Sequence, residues 1–230
     1  LAEGAAILDT GGESTRPGGA PIDAATEQAR ALPVIRRLAS ETDALVSVDT
    51  YRAETARMAL QAGAHVVNDV WGLQREPDIA RVAADLGAGL VIMHTGRERE
   101  KLPDVIADQI AFFEVSLDIA DRAGVPRDAI VLDPGFGFAK DAGENLALCA
   151  RFAELQALGF PLLAGASRKR FLGAATGRAS ASDRDIATAA STAILRMRGA
   201  SLFRVHEIAG NRDALAFADA VLAAQGSSGP

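Results

Sequence analysis

Short, largely apolar runs recur along the chain, each set between an amphipathic stretch ending in glycine and a polar residue. The runs are Ala5–Leu8, Leu45–Val48, His65–Val67, Leu90–Met93, Ile130–Leu132, Leu162–Gly165 and Leu202–Val205. They do not alternate apolar with polar, which is how parallel strands buried on both faces read. The polar residues that follow or close them are Asp9, Asp49, Asn68 with Asp69, His94, Asp133, Ser167 and His206. The stretches between have helical length and period. Gly63, Gly87, Gly124, Gly159 and Gly199 stand at their exits, where a left-handed residue ends a helix.

The pattern therefore predicts β-α-β-α with seven strands and a parallel α/β architecture. A doubly wound sheet and a TIM (β/α)₈ barrel both satisfy it. The barrel is favoured because polar residues end every strand, whereas an open sheet gathers its site at one switch point. A barrel needs eight strands. The opening Leu1-Ala2-Glu3-Gly4 matches a helix end plus glycine, and no Met begins the chain. The expectation is that the first strand, its loop and most of the first helix are missing; an in-frame start immediately before Leu1 would overturn it. No Gly-, Pro- or Ser-rich linker divides residues 1–230, so one barrel domain is expected, with a flexible tail over 225–230.

Composition narrows the function classes. With 230 residues, 49% of them hydrophobic, the chain is long enough for a full core. A net charge of −6 argues against general nucleic-acid binding, yet local cations can still gather an anionic substrate. The single cysteine, Cys149, forms no internal disulfide and suits a reducing, cytoplasmic compartment. No apolar run approaches the roughly 20 residues that cross a bilayer, so no membrane partner is expected.

The strand ends carry the candidate chemistry. Gly11-Gly12-Glu13-Ser14-Thr15-Arg16-Pro17-Gly18 offers a tight loop with donors for an anion, or an ordinary turn with a solvated arginine. Asp49, Asn68 and Asp69 can pair with a flat polar heterocycle, or cap helices. Asp133-Pro134-Gly135-Phe136-Gly137-Phe138 sets a carboxylate beside an aromatic ring, with Lys140 beyond it read as solvated. Ser167-Arg168-Lys169-Arg170 puts three cations at a strand end and helix start, a position suited to anions. Strand alternation places Arg204 and His206 on one side, where a cation pair suits phosphate. His94 reads as structural, His65 lies at the wrong strand end, and Trp71 and Cys149 read as packing residues.

In order and content these blocks resemble the dihydropteroate synthase family over essentially the whole chain. The resemblance rests on Asp9–Gly18, Ser47–Thr50, Asn68-Asp69-Val70, Met93-His94, Asp133–Phe138, Ser167-Arg168-Lys169 and Arg204-Val205-His206. It implies condensation of 6-hydroxymethyl-7,8-dihydropterin diphosphate with p-aminobenzoate to 7,8-dihydropteroate and pyrophosphate, in folate biosynthesis. It implies that Asp49, Asn68, Met93, Asp133 and Lys169 hold the pterin. Arg204 and His206, with Ser14 and Thr15, would hold the diphosphate. Thr15, Arg16, Pro17, Gly137, Phe138, Ser167 and Arg168 would surround p-aminobenzoate. Asp49, Asp133, Lys169 and Arg204 would be the catalytic set. It further implies Mg²⁺, a homodimer built on outer helices such as Asp185–Met197, and a sulfonamide target. Two departures stand out. The family's loop with its Mg²⁺-binding asparagine is not in this sequence, leaving the metal ligands unknown. Arg170 also stands where many members have serine. A pterin-binding methyltransferase, a Schiff-base aldolase using Lys169 and a non-catalytic pterin-binding protein are the competing readings.

Overall fold

The computed structural model describes residues 1–14 and 20–226. Seven parallel strands follow one another in a single sheet in chain order. They are β1 (Ile7–Thr10), β2 (Leu45–Asp49), β3 (Val66–Asp69), β4 (Gly89–Met93), β5 (Ile130–Asp133), β6 (Leu162–Ala164) and β7 (Ala200–Phe203). The helices between and after them are α1 (Ala24–Glu41), α2 (Ala53–Gln61), α3 (Asp78–Leu86), α4 (Val105–Arg122), α5 (Ala142–Arg151), α6 (Arg170–Thr176), α7 (Asp185–Met197) and α8 (Ala209–Gly226). The five glycines expected at helix exits all have positive φ, from 65° at Gly87 to 107° at Gly63. Helix starts are fixed by side chains where the sequence supplies them. Asp23 accepts from Thr26 N at 2.7 Å, and Asp141 and Glu144 form a reciprocal capping box on α5.

Packing divides the described residues into two compact units. One holds Leu1, Ala5–Thr95 and Ala111–Leu132; the other holds Ala2–Gly4, Gly96–Ile110 and the chain from Asp133 onward. In the first, β1 pairs β2, β2 pairs β3 and β3 pairs β4, with Asp49 beside Asn68 and Asp9 beside Ser47. Its core is Ile35, Val46, Val67, Leu73, Ile79, Leu90, Ile92 and Phe113, all essentially sealed from water. In the second, β6 pairs β7, and Phe136 stacks on Phe152 and Phe171 at 6.2 and 5.7 Å between ring centres. β2 to β6 are mostly buried, as apolar runs require, whereas the outermost strands β1 and β7 are largely half-exposed.

The structure corrects three expectations. β7 begins directly after Gly199 (φ 96°) and ends at Phe203, so Arg204 and His206 lie past the strand and its alternation does not place them. α6 is only seven residues long with Lys169 as its N-cap, which removes the helix-start argument for the three cations. The expected tail is helical at its beginning, because α8 continues through Gln225 to Gly226; residues 227–230 lie outside the described residues.

Candidate active site

At the ends of β1 to β4, the first unit presents polar side chains on a buried backbone. Asp49, Asn68 and Met93 are nearly sealed, at 8, 6 and 2% exposure. The Asn68 amide on β3 donates to Asp9 Oδ2 on β1 at 3.5 Å, across the end of β2, so a carboxylate and an amide lie close together. Gly11 lets the chain leave β1 against β2, since a Cβ there would lie 3.0 Å from the Asp49 carbonyl. The Asn-Asp pair divides its labour. Asp69 is fully buried and its two oxygens accept from Trp71 N (2.8 Å) and Leu73 N (2.6 Å), fixing the turn after β3 around Leu73 at φ 66°. Burial pushes its pKa up to about 6. Asp69 thus takes the turn-capping alternative.

His94 is sealed against Phe112 and Phe113, with ring centres at 4.7 and 6.1 Å, and reads as a packing residue. His65 accepts from Val46 N through Nδ1 at 3.1 Å, at the start of β3. Trp71 meets Tyr51 edge-on and carries the Arg75 guanidinium over its ring.

Glu13, within the glycine-rich segment after β1, is engaged by the protein itself. Tyr51 Oη donates to its Oε1 at 2.9 Å and Arg52 Nη1 to its Oε2 at 2.7 Å. Arg52 also pairs with Glu27 Oε2 (2.8 Å) and donates to the Ile22 carbonyl (2.6 Å). Ser14 is exposed. Thr15, Arg16 and Pro17 lie outside the described residues.

The second unit supplies the remaining strand ends. Asp133 closes β5 and its Oδ1 accepts from Gly135 N at 2.8 Å. Burial raises its pKa above the usual carboxylate value, opposed by that N–H and by the charges of Lys169, Arg204 and Lys140. The turn beyond is built closely around Lys169. A Cβ on Gly137 (φ 77°) would meet Lys169 Cδ at 3.2 Å, and the Lys169 ammonium sits 4.3 Å from the Phe138 ring centre. Arg97 also lies over that ring, at 4.7 Å. Asn145 braces the turn by accepting from Gly137 N (2.8 Å) while donating to the Lys140 and Asp141 carbonyls.

Lys140 corrects the sequence reading. It is not solvated: its ammonium donates to the Gly135 carbonyl at 3.0 Å, and burial pulls its pKa down to about 7 against the attraction of Asp133, Asp108 and Glu144.

Ser167 and His206 meet across β6 and β7. Ser167 Oγ lies 2.9 Å from His206 Nδ1 and also accepts His206 N at 3.2 Å, which fixes the imidazole. Arg204 N donates to the Ala164 carbonyl at 3.1 Å, so the chain past β7 still follows β6. Arg168, at φ 56°, is held side-on by Asp185 through contacts of 2.7 and 2.8 Å. It braces the turn before α6 against α7, while Arg170 is exposed.

Sequence reasoning missed Tyr51, Arg52, Arg97, Asn145 and Asp185, which position the others. Only the Asp141-x-x-Glu144 cap beside Asn145 was visible as a local pattern. Among the described residues no three His, Cys, Asp or Glu side chains gather as a metal site, and no helix is long and apolar enough to cross a membrane.

Residues 1–206, with every strand end above, match the pterin binding enzyme family. The chain belongs to the pterin binding enzymes. It is 42% identical to the dihydropteroate synthase of Streptococcus pyogenes serotype M3 over 217 residues, 94% of this chain and 81% of that protein. Two solved structures of Xanthomonas albilineans dihydropteroate synthase are also similar. One, with 4-aminobenzoic acid, has a TM-score of 0.92 and 40% identity, covering 96% of this chain and 81% of that one. The other, in complex with 7,8-dihydropteroate, has a TM-score of 0.89 and 39% identity, covering 96% and 83%. For this pterin binding enzyme, the α/β TIM-barrel class read from seven apolar runs agrees with these neighbours.

Proposed function

We propose that the chain is a dihydropteroate synthase, joining 6-hydroxymethyl-7,8-dihydropterin diphosphate to p-aminobenzoate. The observation that carries this reading is the 42% identity to a dihydropteroate synthase across 94% of the chain. The chemistry of those groups supports it. A 2-amino-4-oxo pyrimidine edge presents adjacent donors, which the Asp133 carboxylate can accept together, and the amide of Asn68 can both give and receive. Asp49 adds a second carboxylate and Met93 an apolar wall. Lys169, its stem against Gly137 and its charge beside Phe138, suits the ring's oxygen and nitrogen acceptors.

Arg204 and His206, with Ser14 and Thr15, are assigned to the diphosphate. Ser167, Gly137 and Phe138, with Thr15, Arg16, Pro17 and Arg168, are assigned to p-aminobenzoate. In the reaction the methylene C–O bond breaks and the diphosphate leaves as pyrophosphate with the bonding electrons. The arylamine nitrogen forms the new C–N bond and gives up one proton. Positive charge spreading from the methylene into the pterin is met by Asp133 and Asp49; negative charge on the leaving group is met by Arg204 and His206. The amine is already nucleophilic, so holding it in line is the remaining task. Mg²⁺ is proposed on the family resemblance as the diphosphate's counterion. Among the described residues no three His, Cys, Asp or Glu side chains gather to hold it.

The test is release of pyrophosphate from the pterin diphosphate, p-aminobenzoate and Mg²⁺. Dependence on both organic substrates is expected, as is competition by a sulfonamide against p-aminobenzoate. Methyl transfer to a corrinoid acceptor without pyrophosphate release would replace this reading. A cytoplasmic location follows from the same reading.

A homodimer is proposed through α7 and α8. Ile186 and Phe217 are 87 and 71% exposed, and Ile194 and Met197 are about half exposed, which is unusual concentration of apolar surface for two packed helices. Sedimentation of the wild type is expected to give twice the chain mass, and Ile186→Glu with Phe217→Glu to give the monomer. A wild-type monomer at micromolar concentration would refute it.

A further inference from the structure

Between Asp133 and α5 the chain makes a turn that seats two of the proposed substrate-binding groups, and a half-buried lysine lies beneath it. Gly137 leaves room for the Lys169 stem and Phe138 lies against its ammonium. Phe136 of this turn is packed in the Phe152–Phe171 stack. Within the turn Phe138 N donates to the Gly135 carbonyl at 3.1 Å, and one side chain reaches the carbonyls at both of its ends. Lys140 Nζ donates to Gly135 O at 3.0 Å and reaches Phe138 O at 3.5 Å, bridging both ends of the four-residue turn. Asp133 holds the same turn from the other side, through Gly135 N.

We infer that Lys140 is a positioning residue for the condensation: it clamps Gly135 and Phe138 so that Asp133 and Lys169 are held in their working places. This rests on the dihydropteroate synthase reading. A buried amine is costly to desolvate, and a methionine would fill the same space without that cost. What the lysine adds is three rotatable donors at the end of a long stem, able to satisfy two carbonyls facing one point. The ionisable groups around it are Asp133, Asp108, Glu144 and Lys101. Lys101 is itself engaged by Glu144 and the Ala139 carbonyl, so it borders the clamp without replacing it. The clamp does not depend on charge, because a neutral amine still has two N–H donors for the two carbonyls.

The test compares wild type, Lys140→Met and Lys140→Gln in pyrophosphate release, with the folded fraction of each measured by thermal melting. Lys140→Met keeps the volume and loses the donors. Its kcat/KM for the pterin diphosphate is expected to fall on the order of 10²-fold, the usual result of displacing a reacting group by about an ångström. Lys140→Gln retains an N–H for one carbonyl and is expected to lie only about tenfold below wild type. It also serves as the test should the methionine variant not fold, and wild-type kinetics in it would overturn the inference. So would Lys140→Met kinetics within about threefold of wild type, or a loss matching its unfolded fraction without recovery by glutamine. Absence of release by folded wild type would overturn the synthase reading and this inference together, before any variant is compared.

Discussion

Asp133→Asn is expected to lower kcat/KM for the pterin diphosphate by about 10²- to 10³-fold while leaving the protein folded. The carboxylate is nearly sealed, and burial alone pushes it toward the neutral form. Lys169, Arg204 and Lys140, from three separate segments, oppose that push. Asparagine keeps the shape and can still accept from Gly135 N, which protects the turn. It exchanges one acceptor for a donor, and so faces the paired donors of the pterin edge with a like group. Hydrogen bonds to a charged acceptor are worth about 1.5–3 kcal/mol each, which converts to the expected loss when one to two are forfeited. Steady-state kinetics with pterin diphosphate varied at saturating p-aminobenzoate is the measurement. A change under fivefold would remove Asp133 from pterin recognition.

The largest effect on stability is expected from Arg52→Met. Arg52 faces two carboxylates, and its Glu27 partner is 1% exposed. Removing the cation strands Glu27 and Glu13 in a poorly hydrated place and frees the Ile22 carbonyl and the Tyr51 hydroxyl. Breaking a buried pair from one side costs about 3–5 kcal/mol. At about 2–4 °C per kcal/mol for a chain of this size, the melting temperature should fall by about 6–20 °C. Adding Glu27→Met is expected to recover part of that loss, because the stranded charge goes with it. Thermal melts of the single and double variants decide; equal melting of wild type and Arg52→Met would show the network to be balanced by its own desolvation.

The strands were legible in the sequence because a buried parallel strand has no solvated face, so Val46, Val48, Leu90 and Ile92 sit in short, largely apolar runs. The glycines were legible because a positive φ admits few other residues. The braces were not. Arg52 stands in Tyr51-Arg52-Ala53-Glu54, which reads as the solvated beginning of a helix; its carboxylate partners are 39 and 25 residues away. Lys140 likewise reads as a surface charge until Asp108 and Glu144 come near it. At β7 the error lay in the boundary. Leu202–Val205 holds more of the large apolar side chains, but the left-handed turn at Gly199 starts the strand earlier and its pairing with β6 ends at Phe203. Local hydropathy marks strands well, and it carries no information about which distant group will neutralise a buried charge.

The in-order sheet also bears on how the chain reaches its native state. Ile7 finds Leu45, Ser47 finds Val66, and Val66 finds Gly89, so each pairing closes a loop of modest length with the strand just made. The entropy of closing such loops grows only slowly with their length, about 0.6 kcal/mol per doubling. A chain emerging from its amino end can therefore lay each strand on the one before it, without waiting for a distant partner to be synthesised.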